Sequence, residues 1–127
     1  GDTLYVAETE AARLWAFPID APGVVRKEPW PSPHGGRIVA GMGGYQRFDS
    51  LAVQQDGRIC VATLVNGGIT VISPDGRHEH HAFPDPMTTN ICFGGPDMRT
   101  AYITLSWTGL LVAADWPTAG LRLNYAG

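Results

Sequence analysis

The chain has 127 residues, enough for one domain with a buried core, and 44% of them are hydrophobic whereas only 17% are charged. With a net charge of −3 and nine scattered Lys and Arg residues, it offers no cationic surface for the phosphates of a nucleic acid. The uncharged run from Ala101 to Ala114 is interrupted by Thr, Ser and Gly and is shorter than the roughly 20 apolar residues of a membrane helix. Nucleic-acid and membrane partners are therefore not expected.

In chain order, the first predicted element is a hairpin from Leu4 to Asp20, LYVAETEAARLWAFPID, in which two apolar runs flank a small polar loop. The same pattern returns from Ile59 to Asp75 and from Ala101 to Pro117. The hairpins start 55 (59 − 4) and 42 (101 − 59) positions apart, close to the roughly 40 to 50 residues of one β-propeller blade. β-Branched and aromatic residues dominate these runs and no long helical period occurs, so the pattern predicts an all-β fold.

Four shorter apolar runs supply the remaining strands. Asp49 to Val53 and Thr89 to Phe93 precede the second and third hairpins as inner strands. Arg37 to Ala40 and Glu79 to Phe83 follow the first and second hairpins as outer strands. Since a propeller blade is a four-stranded antiparallel sheet, the sequence predicts one partial β-propeller domain over residues 1–127, with nearly three blades. The first of these blades lacks its innermost strand.

Three blades cannot close a ring, and a propeller covers its sheet edges and apolar faces only by closing. We therefore expect further polypeptide to complete the ring. It can belong to a longer chain of which these residues are a fragment, to a second chain, or to a second copy in a dimer of half-rings. On this expectation the chain self-associates or binds a completing partner.

Three segments match a known family in order and spacing: DTLYVAETEAARLWAFPID, FDSLAVQQDGRICVATLVNGGITVISPDG and MTTNICFGGPDMRTAYIT. The chain resembles the C-terminal half of the gluconolactonase and regucalcin (SMP-30/gluconolactonase/LRE-like) family. This resemblance implies about three blades of a six-bladed β-propeller. It also implies a hydrolase that opens a small sugar lactone or ester with one divalent metal ion, which is Ca²⁺, Zn²⁺, Mg²⁺ or Mn²⁺.

The resemblance assigns a role to Asp49. In that family a glutamate, two asparagines and an aspartate hold the ion on the propeller axis, and the match of FDSLAV implies that Asp49 is this aspartate and the general base. The other three ligands would lie before Gly1. Independently, a carboxylate at the start of an innermost strand lies where blades converge, and hard cations prefer oxygen ligands. The alternative is that Asp49 caps a turn or accepts backbone N–H groups.

Three further residues are candidates for the wall of a substrate pocket. Thr89 aligns with Asp49 when DSLAV is laid over TNICF, so Thr89 and Asn90 are expected near the axis in the next blade. They can equally well finish a loop. Trp107, in the loop of the third hairpin, is a candidate platform for a sugar ring, and its alternative role is to pack between blades.

The His and Cys residues give no second metal site. His78, His80 and His81 are too close together along one strand to converge on a single ion, and a solvated edge is expected. Cys60 and Cys92 each lie in an apolar run, where a small buried thiol is favoured over a disulfide or metal pair. Unpaired thiols favour a reducing cytoplasm.

Two classes of function follow from these features. The first is a metal-dependent lactonase-like hydrolase to which this chain contributes the catalytic acid. The second is an inactive half-propeller or a binding module, since one of the four expected ligands is present. Within the enzyme class, a related propeller esterase or organophosphatase is an alternative, because a fold does not name its substrate.

Overall fold

The computed structural model describes residues 1–125, which form eleven β-strands and no helix. The strands are β1 (Thr3–Glu8), β2 (Arg13–Ala21), β3 (Val24–Val25), β4 (Arg37–Gly41), β5 (Arg47–Val53), β6 (Ile59–Leu64), β7 (Gly68–Ile72), β8 (His78–Ala82), β9 (Thr88–Gly94), β10 (Thr100–Leu105) and β11 (Leu110–Asp115). Within this part of the chain there is accordingly no helix able to cross a lipid bilayer. The predicted all-β fold is confirmed.

The strands form three consecutive antiparallel sheets, each built around one of the predicted hairpins. In the first sheet β1 pairs with β2, and the other edge of β2 pairs with β4 and with the two-residue strand β3. The second sheet has the order β5-β6-β7-β8, and the third has the order β9-β10-β11. These sheets have the strand pairing of propeller blades, and the four short strands expected beside the hairpins are all present.

Two apolar cores join neighbouring sheets. Between the first and second sheets, Leu14 packs with Phe48, Ile59 and other residues that are fully buried. Between the second and third sheets, alternate residues of β10 face Ile69 and Val71 of β7. Side chains alternate between the two faces of a strand, so each sheet of the pair contributes one face to the shared core. This packing fixes the sheets side by side.

The outer faces of the first and third sheets remain exposed. Leu4 and Val6 of β1 are 46% and 39% exposed, and Leu111 of β11 is 68% exposed. Successive side chains along a strand point to opposite faces of its sheet. Because apolar residues also occupy the outward positions, each of these sheets has a second apolar face. Additional polypeptide packed on these two faces would cover them as the cores cover the inner faces.

The two cysteines differ in their surroundings, and both are free. Cys60 lies in the core between the second and third sheets, where burial raises the pKa of its thiol to about 12. Cys92 is exposed, because it pairs with Tyr102 on the outer face of the third sheet. The prediction of a buried thiol is therefore confirmed for Cys60 and wrong for Cys92.

The segment after β11 crosses the end of β5 and the turn between β9 and β10. The backbone N–H of Leu121 donates to the carbonyl of Val53 at 2.9 Å, and that of Gly120 donates to the carbonyl of Met98 at 2.8 Å. Gly120 also forms an isolated bridge with Gln54 just beyond β5. These contacts tie the segment to the ends of the second and third sheets that lie opposite the start of β5.

Candidate functional site

The predicted site residues lie at one end of the three sheets. Adjacent strands run in opposite directions, so the start of an inner strand and the end of the next strand lie at the same end of a sheet. β5 and β9 start at this end, and the loops that follow β1, β6 and β10 lie there as well. The loops of the three predicted hairpins, 8–11, 64–67 and 105–108, therefore share an end with the start of β5. We call this the site end of the molecule.

Asp49 lies at the site end in an irregularity of β5. Phe48 pairs with Thr63 and Leu51 pairs with Val61, so β5 has one residue more than β6 between the two pairs. This extra residue is a β-bulge, a feature that redirects side chains and is frequent beside active sites. Asp49 is half-buried and belongs to the strand that contacts both β1 and β9. The bulge thus places a carboxylate on the edge where the sheets approach one another.

The hydrogen bonds of other aspartates distinguish Asp49 from a turn-capping residue. Asp56, Asp75 and Asp97 lie in the turns at the opposite end, and each accepts the backbone N–H of the arginine two residues on, at 3.1 Å. None of the side-chain hydrogen bonds formed within residues 1–125 involves Asp49. Its oxygens are therefore available to a ligand, which is the requirement for binding a hard cation.

The described residues do not make a complete metal site by themselves. Residues 1–125 contain no group of three or more His, Cys, Asp or Glu side chains that could hold an ion. The Asp49 carboxylate fits the role of one oxygen ligand of a hard cation. The imidazole of His80 instead contacts the Thr70 hydroxyl at 3.2 Å and the Gly67 carbonyl at 3.0 Å.

Thr89 and Asn90 occupy the corresponding position in the third sheet. Thr88 pairs with Leu105 and Asn90 pairs with Thr104, so Thr89 is the extra residue of a second bulge at the start of β9. Its hydroxyl lies 2.8 Å from the hydroxyl of Thr104 and 2.8 Å from that of Ser106. The side-chain oxygen of Asn90 accepts the backbone N–H of Ile91 at 2.8 Å, and Asn90 is exposed. Thr89 and Asp49, which align in the sequence, therefore lie in bulges at corresponding positions of the third and second sheets.

Trp107 lies on the turn between β10 and β11 and is 75% exposed. It does not pack between the described sheets, so the alternative prediction, a tryptophan buried between blades, does not hold for residues 1–125. Both neighbours of Trp107 are anchored: the Ser106 N–H donates to the carbonyl of Met87, and Thr108 donates to a carboxylate. An exposed indole on a turn with fixed neighbours is suited to contact a ligand ring.

Asp85, which sequence reasoning missed, provides that carboxylate. It lies in the connection between β8 and β9 and is only 2% exposed. Burial by itself would raise its pKa, but hydrogen bonds from Thr108 and from the backbone N–H of Met87 outweigh burial and lower the pKa. Asp85 is therefore a buried carboxylate that stays ionised. In the sequence, Asp85 is marked only by the prolines on either side of it. Its role could not be read from these neighbours, because its partner Thr108 is 23 residues away.

Two acids in the first hairpin loop are occupied by other partners. The Glu8 carboxylate accepts the indole N–H of Trp15 at 2.8 Å, which orients that side chain beside β1. Glu10 forms a 3.3 Å ion pair with Arg47, two residues before Asp49. Because the carboxylate of Glu10 is 80% exposed, water screens this pair and its contribution to stability is small. Among these acids, Asp49 is the one that combines partial burial with a position on a bulge.

The strand pairing of the three antiparallel sheets defines the class of this protein as a β-propeller-type all-β protein. A family model described as the SMP-30/gluconolactonase/LRE-like region matches residues 1–106. The chain belongs to this family, and the predicted resemblance is confirmed.

Two relatives illustrate the similarity. The chain is 31% identical over 130 residues to a 6-deoxy-6-sulfogluconolactonase of Pseudomonas putida, covering 97% of this chain and 43% of that protein. The X-ray structure of a structural-genomics target assigned to the gluconolactonases superposes with a TM-score of 0.61 at 21% identity, covering 95% of this chain and 41% of that one. The chain thus spans less than half the length of either relative.

Proposed function

We propose that this chain is part of a metal-dependent hydrolase that opens sugar lactones, with Asp49 as a metal ligand and general base. The position of Asp49 carries the proposal: it lies on a bulge of an inner strand, at the site end, with its oxygens unused by other side chains or backbone groups of residues 1–125. Family membership and the gluconolactonase names of both relatives support the same reaction class.

Asp49 would act on the water that attacks the lactone carbonyl carbon. As a carboxylate it accepts a proton from this water, the bond between the carbonyl carbon and the ring oxygen breaks, and the ring oxygen leaves as a hydroxyl after taking up a proton. A divalent ion (Ca²⁺, Zn²⁺, Mg²⁺ or Mn²⁺), when bound, supplies positive charge that polarises the carbonyl. Thr89, Asn90 and Trp107 would line the pocket around the sugar or ester.

The remaining ion ligands are proposed to come from polypeptide outside residues 1–125. The exposed faces of the first and third sheets, with Leu4, Val6 and Leu111, offer the surfaces on which such polypeptide would pack. Burying apolar surface of this kind contributes about 25 cal/mol per Å², so these faces favour association. A second copy of the chain or a different chain could supply it.

The test combines oligomeric state, ion binding and turnover. Size-exclusion chromatography with light scattering gives the mass of the purified chain, and titration calorimetry measures the binding of each of the four ions. Hydrolysis of glucono-1,5-lactone is followed in a pH-stat. We expect turnover that requires a divalent ion and a loss of roughly 100-fold or more in Asp49→Ala, since general-base catalysis contributes about 10²- to 10⁴-fold.

Asp115→Ala is the matched control, because Asp115 is an exposed aspartate that ends β11 at the opposite end of the sheets. It should keep wild-type turnover and ion affinity. A wild-type chain that neither binds an ion nor opens the lactone, whether alone or together with polypeptide that supplies the other blades, would refute the hydrolase and favour the inactive half-propeller or binding module. Asp49→Ala activity within twofold of wild type would refute the role of Asp49.

A further inference from the structure

The turn that carries Trp107 is held from both sides. On one side, the backbone N–H of Ser106 donates to the carbonyl of Met87 at 2.9 Å, and its hydroxyl lies 2.8 Å from that of Thr89. On the other side, Thr108 donates to Asp85 through both its backbone N–H, at 2.9 Å, and its hydroxyl, at 2.7 Å. Hairpin loops are usually among the most mobile parts of a domain. This turn is instead tied to the start of β9.

Asp85 joins two segments that are distant in sequence. One carboxylate oxygen receives both hydrogen bonds from Thr108, and the other accepts the backbone N–H of Met87 at 2.7 Å. The backbone carbonyl of Asp85 also accepts the hydroxyl of Thr88 at 3.1 Å. Hydrogen bonds to an ionised acceptor are shorter and stronger than those between neutral groups. A single buried side chain therefore sets the spacing between the Trp107 turn and the first residues of β9.

The β6–β7 turn packs against the same segment. The backbone N–H of Val65 donates to the carbonyl of Pro86 at 2.7 Å. A Cβ atom added to Gly67, whose φ is +71°, would lie 2.5 Å from the backbone carbonyl oxygen of Asp85. Only glycine fits this approach, so the second and third hairpin loops meet at the residue that anchors Trp107. The position of Asp85 is thus fixed before any ligand arrives.

We propose that Asp85 is a positioning residue that holds the Trp107 indole as a preformed wall for the sugar ring of the substrate. The proposal rests on the lactonase function proposed above, and it adds a determinant of substrate affinity at the same site. Trp107 touches the substrate and Asp85 does not, because Asp85 is 2% exposed whereas Trp107 is 75% exposed.

The physical advantage is preorganisation. The flat face of an indole packs on the C–H face of a sugar ring, and this contact requires the indole at a defined height and angle. A mobile turn would have to be ordered on binding, at a cost in free energy that the anchored turn has already met during folding. Releasing the turn should therefore weaken substrate binding more than it slows the chemical step at Asp49.

The first experiment measures the order of the turn without any activity. In ¹⁵N-labelled protein, the heteronuclear NOE of the Trp107 amide should resemble that of strand residues. Asp85→Asn places an NH₂ group against at least one donor, and Thr108→Val removes one hydrogen bond at nearly constant shape, so both should lower this NOE. Thr108→Ser keeps the hydroxyl and should restore the wild-type value. An NOE unchanged in Asp85→Asn would overturn the anchoring role.

The second experiment separates binding from chemistry. In lactone hydrolysis, Thr108→Val and Trp107→Ala should raise KM roughly three- to tenfold, as expected for losing one ordered contact, and leave kcat within twofold. Trp30→Ala is the matched control, because Trp30 is 89% exposed in the connection between β3 and β4. A wild-type KM in Trp107→Ala, or a fall in kcat alone in Thr108→Val, would overturn the positioning role.

The two proposals fail in different ways. If the hydrolase proposal fails, titration with D-glucose, which has a pyranose ring, tests the wall: the Trp107 indole signal should shift, with an affinity weakened in Thr108→Val. An indole signal that does not respond to D-glucose overturns the wall as well. If the lactone is hydrolysed through Asp49 while Trp107→Ala binds it normally, the positioning role alone is refuted.

Discussion

Replacing Gly120 by alanine should destabilise the protein by displacing the segment that follows β11. An added Cβ atom would lie 2.2 Å from Cγ and 2.3 Å from Cβ of Phe93. Real Cβ atoms do not approach other carbons this closely, and the Cβ of Phe93 is attached to the backbone of β9, so rotation of the ring cannot relieve the contact. Either β9 or the segment around Gly120 must move.

The magnitude follows from what the movement breaks. Overpacking a core costs about 1 to 3 kcal/mol. Displacing the segment weakens three backbone hydrogen bonds, which join Gln55 to Ala119, Gly120 to Met98 and Leu121 to Val53 at 2.8 to 2.9 Å. Each such bond contributes about 0.5 to 1.5 kcal/mol. If the weakening of the three bonds amounts to the loss of about one, Gly120→Ala should lower the free energy of unfolding by about 1.5 to 4.5 kcal/mol.

Urea denaturation followed by far-UV circular dichroism measures this change. Gly43→Ala is the matched control, since an added Cβ meets nothing within 4 Å and the backbone of Gly43 is not left-handed. That control should be neutral or more stable by about 0.4 to 1 kcal/mol, because alanine restricts the unfolded chain. If Gly120→Ala and Gly43→Ala unfold at the same urea concentration with equal slopes, the contact with Phe93 does not constrain the segment.

Two further predictions concern titrating groups. At pH 8, iodoacetamide should modify only the Cys92 thiol of the native protein, because Cys60 is buried and the pKa of its thiol is raised to about 12. Mass spectrometry of the Cys92→Ser variant should then show almost no labelling. Two fast-reacting thiols in the native protein would contradict the buried position of Cys60. The pKa of Asp85 is lowered below its unfolded value of about 3.9, so its stabilisation is complete above about pH 5 and is lost as the pH falls through the folded pKa. Urea midpoints measured from pH 6 to 2.5 should fall less steeply in Asp85→Asn than in wild type, and identical pH profiles would show that Asp85 is not the group responsible.

The strands were predictable because their signals are local. Two apolar runs around a small or polar loop define each hairpin within about 17 residues, and the family resemblance pointed to Asp49 through a contiguous segment, FDSLAV. The two-residue strand β3 was not predicted, since Val24 and Val25 are too few to show a period. Asp85 could not be recognised as an anchor, because its role depends on Thr108 in another sheet connection.

The sequence by itself determined that this chain folds as repeated antiparallel hairpins with an aspartate at the start of an inner strand. Only the tertiary structure decided that Cys60 is buried whereas Cys92 is exposed, and that bulges redirect the chain at Asp49 and Thr89. The physical reason is that alternation assigns residues to the two faces of a strand, whereas the neighbour that covers a face comes from a distant part of the chain.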